Sequence, residues 1–452
     1  MRAKLAQQVE SLLPSSVADL ARLCAQPSVS AQKLGIEKCA RLLASMMEGA
    51  GLSARVLPSP EPGYPVVYAE RKGRSSKTLL FYNHYDVQPP EPLGEWVSPP
   101  FQPTERDGKL YARGVADDKG HIAARLAAIK ALLKADGELP CGVKFCVEGC
   151  EEIGSPGLHR FVDEHKALLA ADACLWEGGG VDWQGRPSIT LGLKGILYVE
   201  LECRTASRDS HSSFGTVAPN AAWRLAWALS TIKDRQERVL IPGFYADVRP
   251  PTGAELAAVD ALPAEDEELK RSLDLSGFVL GVRGSAWHRR HTLEPACNIC
   301  GMESGYTGPG AKTVLPSLAR AKVDFRLVPD QRPQDILVKL KAHLAVQGFE
   351  DIQVKARDAN EMPARTAMDS PFVGLVRETA RDVYGVEPLL VPNMAGSGPM
   401  YLFSHGLGLP IASAGVDYPD NHIHAPNENI RLEDYRKGIL HLAAILDAFG
   451  SG

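Results

Sequence analysis

The sequence predicts an α/β fold, a mixed, mostly parallel sheet with helices on both faces, into which a smaller α+β domain is inserted. Three observations predict it. Helical periodicity alternates with short, wholly apolar runs from the N-terminus to about residue 190, as in a parallel sheet covered on both faces. Near residue 193 the apolar runs give way to strict alternation, the mark of a strand with one solvated face. From about residue 370 the buried pattern resumes, so the larger domain is split, with residues 1–193 and 360–452 outside and residues 194–359 inserted.

Helices are expected near the N-terminus and over 37–50. A third follows in DDKGHIAARLAAIKALLKADG, where Ile122, Leu126, Ile129 and Leu133 form an apolar stripe that Gly137 ends. TLLFY (78–82), VKFCV (143–147) and ACLW (173–176) read as buried strands. In ILYVELECRT, Leu197, Val199, Leu201 and Cys203 share one face, while Tyr198, Glu200, Glu202 and Arg204 share the other. A helix over 221–232, an alternating strand over 321–329, a helix over 334–347 and a strand over 352–356 complete a small α+β domain. Between its halves lie an acidic, helix-like segment at 255–273 and a Gly/His/Arg-rich stretch at 281–291, to which no chemistry is assigned. Strands at 389–391 and 410–414 and a closing helix over 428–449 return to the larger domain.

The 452 residues carry 50 Lys and Arg against 55 Asp and Glu, a formal charge of −5, which argues against a strongly basic nucleic-acid binder. The uncharged run 388–416 is long enough to span a bilayer, but Pro392, Asn393, Gly396, Pro399 and Pro410 break it into short pieces. Glu10 and Asp19 interrupt any signal-peptide core near the start, so a cytoplasmic location is expected. Nine cysteines at irregular spacing read as reduced thiols, and Cys297 with Cys300 lacks the second pair that a zinc site needs.

Chemistry concentrates where apolar strands end, which is where open α/β sheets bind ligands. His84 and Asp86 follow the first buried strand; Asp117 and Asp118 open the striped helix; Glu148, Glu151 and Glu152 follow another strand; Glu177 follows ACLW; His422 and His424 lie after the strand at 410–414. Gathered carboxylates repel one another unless cations sit among them. Mixed carboxylate and imidazole donors suit hard and borderline dications. Two such ions would form the arrangement used in amide and phosphate hydrolysis, leaving a spare carboxylate as base.

The motifs H-Y-D-V-Q, R-G-V-A-D-D-K-G, E-E-I-G-S, D-S-H-S, D-F-R-L-V-P and H-A-P-N-E-N occur in this order along nearly the whole chain. In these the sequence resembles metallopeptidase family twenty, the di-metal dipeptidases, carboxypeptidases and aminoacylases, and within it the carnosine-type and non-specific dipeptidase branch. The resemblance implies a zinc-exopeptidase-like catalytic domain with a ferredoxin-like lid and dimerisation domain. It implies His84, Asp117 and Glu177 on one metal and Asp117, Glu152 and His424 on the other, with Asp172 as the alternative to Glu177 and His422 the alternative to His424. Asp86 would orient His84, and Glu151 would be the general base. Asp118 would orient its turn, and His121 would begin a helix. His211 would stabilise the oxyanion, often from the other subunit of a dimer, and Arg326 would bind a substrate carboxylate. Asn220, Gly396 and Ser397 would be further substrate contacts, although A-G-S-G-P here departs from the relatives' G-G-S-I-P.

These implications describe a hydrolase with two divalent ions per chain, zinc first and manganese or cobalt as alternatives, acting on dipeptides or short peptides with a free C-terminus through a metal-bridging hydroxide. A homodimer through the inserted domain is implied, with neither nucleic acid nor membrane as partner. An N-acyl amino acid deacylase would use the same mechanism, and a non-catalytic binding protein on this scaffold is the alternative from another class.

Overall fold

The computed structural model describes residues 3–264, 266–356 and 360–451. The chain forms two compact units. One comprises Met1–Gly192, Arg365–Asn393 and Pro399–Gly452, and the other Leu193–Ala364 with Met394–Gly398. The sequence boundary drawn at 359/360 touches residues 357–359, which lie outside those described. Met394–Gly398, assigned by sequence to the larger domain, groups with the smaller because the Lys194 amide donates to the carbonyls of Met394 (3.2 Å) and Gly396 (3.0 Å).

The first unit is built on a six-stranded sheet. Its order is Ser53–Leu57, Val66–Arg71, Gly142–Glu148, Thr78–His84, Ala173–Trp176 and Ile411–Ser413. The last four run parallel, and the first two join antiparallel at one edge. Side chains alternate across Thr78–His84, so both faces must be covered. Phe81 stacks on Phe145 at 4.7 Å on one face, while Tyr82 stacks on Trp176 at 4.2 Å and meets Phe403 on the other.

The helix Lys119–Asp136 is buried on almost every side, between the helices Ala3–Ala25 and Leu432–Ser451. Lys119, His121 and Arg125 are also buried, each with partners, so the apolar stripe is only part of an interior helix. The closing helix is corrected. It begins at Leu432, because Asn429–Arg431 pairs as a strand with Lys109–Tyr111, and Glu428 precedes both. The uncharged run 388–416 becomes strand Leu389–Val391, helix Met400–Ser404 and strand Ile411–Ser413. No helix among the described residues is long and apolar enough to cross a membrane.

The second unit holds a four-stranded antiparallel sheet ordered Ala296–Ser304, Leu318–Leu327, Gly195–Arg204 and Gln353–Ala356. Numbered along the chain these strands lie in the order 2-3-1-4, the ferredoxin-like arrangement. Leu197, Val199, Leu201 and Cys203 are all buried, beneath Leu225 and Ile232 of helix Ala221–Ile232 and Leu340 and Leu344 of helix Pro333–Val346. The strand Ala296–Ser304 shows no period in the sequence because a bulge between Ile299 and Gly301 shifts its register and its apolar residues Ile299 and Met302 are exposed. The acidic segment at 255–273 falls on two helices, Gly253–Asp260 and Asp266–Ser272, and the Gly/His/Arg-rich stretch at 281–291 overlaps the helix Gly284–Leu293.

Candidate metal centre

In the first unit, neighbouring parallel strands end together, so the residues just after them converge. His84 closes its strand beside Glu148 of the next, in direct register. The 3₁₀ turn Glu151–Ile153 follows that second strand, and Glu177 follows Ala173–Trp176. His424 enters on the loop after Ile411–Ser413. Both His422 and His424 have left-handed φ, 58° and 63°, so the extended geometry that would have put them on one face does not hold. Both are exposed, but His424 lies with the acidic cluster, whereas His422 pairs with Asp420 at 3.1 Å.

Asp117 joins the two halves of the cluster. Its Oδ1 is 2.9 Å from His84 Nε2 and its Oδ2 is 2.9 Å from His424 Nε2. Glu152 lies 3.1 Å from the same His424 nitrogen, and Glu177 lies 3.8 Å from His84 Nε2. Two groups have potential ligand atoms within 4.8 Å of one another: His84 with Asp118 and Glu177, and Asp117 with Glu152 and His424. Asp118 therefore stands closer to the site than a turn-orienting role alone implies. Its Oδ2 accepts from Asn83 Nδ2 and the His84 amide, while its Oδ1 is buried without a hydrogen-bond partner, as is Glu177 Oε2. Asp172, the alternative to Glu177, sits before its strand and caps the Thr78 amide at 2.7 Å.

The electrostatics ask for cations. Burial pushes Glu177 well above the usual carboxylate range, and nearby Glu151, Asp118 and Asp117 push it further. Glu151 is also raised well above its ordinary value, by burial first and then by Asp117, Glu152 and Glu148. Burial opposes a charge on His84, yet Asp117, Asp86 and Glu177 raise its pKa well above normal. Hydrogen bonds to Asp117 and Glu152 push His424 up to about 10. Asp117 is held far below its usual range, because these two imidazoles outweigh its burial. Protons on the two histidines stand where metal ions would neutralise the same carboxylates. The orphaned oxygens of Asp118 and Glu177, together with a donor set of imidazoles and carboxylates, fit two divalent ions.

The supporting residues were only partly legible. Asp86 was expected to hydrogen-bond His84, but Nδ1 meets the Asp86 backbone carbonyl at 3.0 Å, with the carboxylate 3.5 Å away. That carboxylate instead accepts the amides of Glu151 and Glu152, both at 3.1 Å, fixing the turn that carries them. Gln88 donates its side-chain amide to Glu152 Oε2 at 2.8 Å. Glu428, unassigned in the sequence reading, is buried and accepts from Arg113 and from the amides of Gly114, Ala116 and Asp117. Its signal was present in H-A-P-N-E-N, but nothing in spacing shows that this carboxylate points back to a loop more than 300 positions earlier. His121 is a buried helix residue that meets Asp417 at 3.0 Å.

The remaining predicted residues belong to the second unit. His211 is exposed, and its Nδ1 accepts the Ser213 amide at 3.1 Å, which leaves the proton on Nε2, near Thr313 Oγ1. Arg326 pairs with Asp324 through Nε at 3.0 Å and donates from Nη1 to Ser397 Oγ at 3.0 Å. The Asn220 side-chain oxygen is committed as the N-cap of helix Ala221–Ile232, so only its amide nitrogen could serve the substrate contact expected of it. Gly396 gives its carbonyl to the Lys194 amide.

Strand-end carboxylates and imidazoles arranged in two metal-ligand groups define a metal-dependent hydrolase on an α/β sheet. A family model described as "Peptidase family M20/M25/M40" matches residues 80–448, and the chain belongs to that family of metallopeptidases. It is 28% identical over 401 residues to the Beta-Ala-His dipeptidase of Homo sapiens, covering 84% of this chain and 76% of that protein. It is 27% identical over 463 residues to the Cys-Gly metallodipeptidase dug1 of Schizosaccharomyces pombe, covering 96% of each. Among solved structures, an M20 family metallo-carboxypeptidase, Sso-CP2 from Sulfolobus solfataricus, superposes with a TM-score of 0.92 at 41% identity, covering 97% of this chain and 99% of that one.

Proposed function

We propose that this metallopeptidase is a two-metal exopeptidase that cleaves dipeptides or short peptides bearing a free C-terminal carboxylate. The observation that carries the reading is Asp117, whose two oxygens each meet the imidazole of a different ligand group. The human and fission-yeast relatives, a Beta-Ala-His dipeptidase and a Cys-Gly metallodipeptidase, support dipeptides as substrates, and the N-acyl amino acid deacylase reading is not favoured. His84, Asp117 and Glu177 would hold one ion, and Asp117, Glu152 and His424 the other, with zinc as the first expectation and manganese or cobalt as alternatives. When bound, the ions supply Lewis acidity, polarising the scissile carbonyl and making water acidic enough to attack near neutral pH.

The chain's own residues do the rest. Glu151, fixed by Asp86 through its amide and set beside the ligand Glu152, takes the proton of the attacking water. It then returns that proton to the leaving amine nitrogen. His211 donates from Nε2 to the oxygen on which negative charge develops. Arg326, already oriented by Asp324 and Ser397, presents the remainder of its fork to the substrate carboxylate.

A homodimer through the second unit belongs to the reading, supported by the exposed, stacked pair Trp223 and Trp227. A cytoplasmic, reducing location is supported by nine free thiols, eight of them buried.

Replacing Glu151 by Gln tests the assignment. Hydrolysis of a dipeptide panel is expected to fall by a factor on the order of 10²–10⁴ while two metals per chain are retained. Activity within a fewfold of the parent would remove Glu151 as base.

A further inference from the structure

The segment that connects the two halves of the ferredoxin-like motif contributes nothing to the mechanism above, yet it builds one wall of a cavity of about 400 Å³ inside the second unit. That volume lies in the range of small-ligand sites. Phe278, Val282, Trp287 and His291 line one part of it, and Arg326 and Gly396 another. His291 stacks on Trp287 with ring centroids 4.9 Å apart, and Phe278 lies 5.9 Å from Trp287, so the rings form a continuous aromatic surface.

Three cations and no acid line this cavity among the described residues: Lys194, Arg290 and Arg326. They are not equivalent. Lys194 is buried, and its ammonium donates to the carbonyls of His291 (2.7 Å) and Glu294 (2.6 Å), which fixes the C-terminal end of helix Gly284–Leu293. Arg290 pairs with Glu294 at 3.2 Å. Arg326 is held at Nε and Nη1, which leaves Nη2 without a partner among the described residues. Both arginines thus keep guanidinium nitrogens that can meet an anion, and Arg326, the one held in place on two sides, presents its remaining nitrogen next to an apolar and aromatic wall.

The geometry points to this wall as a specificity element: Phe278, Val282 and Trp287 receive a large apolar or aromatic side chain on the C-terminal residue of the substrate, while Arg326 takes its carboxylate. This inference rests on the peptidase reading, because it identifies the anion at Arg326 as that carboxylate. Lys194 acts as a positioning residue for the wall. The substrate class that follows is a short peptide ending in Phe, Trp, Tyr or Leu, in preference to Gly or an acidic residue.

The test is kcat/KM of the metal-loaded enzyme for Ala-Phe, Ala-Leu, Ala-Gly and Ala-Asp. The parent should favour Ala-Phe and Ala-Leu over Ala-Gly and Ala-Asp, and Trp287→Ala should cut the Phe-to-Gly ratio by about tenfold or more. Val282→Trp fills the same space from another side and should lower that ratio as well, which covers the case in which Trp287→Ala fails to fold. Turnover of the panel with the ratio unchanged in the folded variants, or a parent preference for Ala-Asp, overturns the specificity wall and leaves the peptidase reading standing. A metal-loaded parent that hydrolyses no member of the panel overturns both.

Discussion

Glu428 makes no contact with the imidazoles that meet Asp117, yet it sets where Asp117 stands. A buried carboxylate bound to one guanidinium and three amides of a single loop holds that loop in a single conformation, and each charge-assisted bond is worth about 1.5–3 kcal/mol. Glu428→Gln keeps the shape but removes the charge and turns one acceptor into a donor. We expect a loss of about 2–3 kcal/mol in unfolding free energy and weaker metal binding, measured by urea denaturation and by titration with a zinc competitor. Unchanged values in both would mean that the loop is held by other contacts. Gly114 in the same loop has φ +81°, and a Cβ there would lie 2.4 Å from Val87 Cγ1. Gly114→Ala should therefore displace Asp117 and reduce activity at least tenfold, read as kcat/KM on a dipeptide.

At the scale of elements, the helices Pro371–Tyr384 and Leu432–Ser451 are joined by His441, whose Nε2 lies 3.1 Å from the Val376 carbonyl. Burial lowers its pKa to about 4. The unfolded chain takes up this proton as pH falls through about 6.5, whereas the folded chain resists until about 4. The stability contributed by the neutral ring is thus complete above about 6.5 and is lost toward 4, up to about 3 kcal/mol. His441→Gln should flatten the fall in urea midpoint between pH 7 and pH 4.5, and an equally steep fall would mean another group governs it. Elements with a strong internal period were legible in sequence: the strand Gly195–Arg204 and the helix Ala221–Ile232 show their buried faces directly. Glu428 was misplaced into a helix, because a strand of only three residues leaves no periodic trace before Leu432.

For the whole molecule, the strand-end residues His84, Asp117, Glu152, Glu177 and His424 were legible because each follows an apolar run or sits in a distinctive motif. What tertiary folding alone could reveal was the pairing across sequence distance: Asp118 in one group with Glu177, and Asp86 beneath the Glu151 turn. A cluster of carboxylates that needs cations should be less stable without them. Exhaustive chelation should abolish hydrolysis and lower Tm by several degrees, since a ligand at a hundredfold its Kd stabilises by about 2.7 kcal/mol; a Tm indifferent to chelation would mean that the acids are neutralised by protons alone.

The most direct test of the account is the metal content of the zinc-loaded parent and of Asp117→Asn, measured by inductively coupled plasma mass spectrometry after gel filtration. Asp117 touches both groups, so two metals per chain in the parent and fewer than one in the variant are predicted. Two metals retained by Asp117→Asn, or none bound by the folded parent, would contradict it.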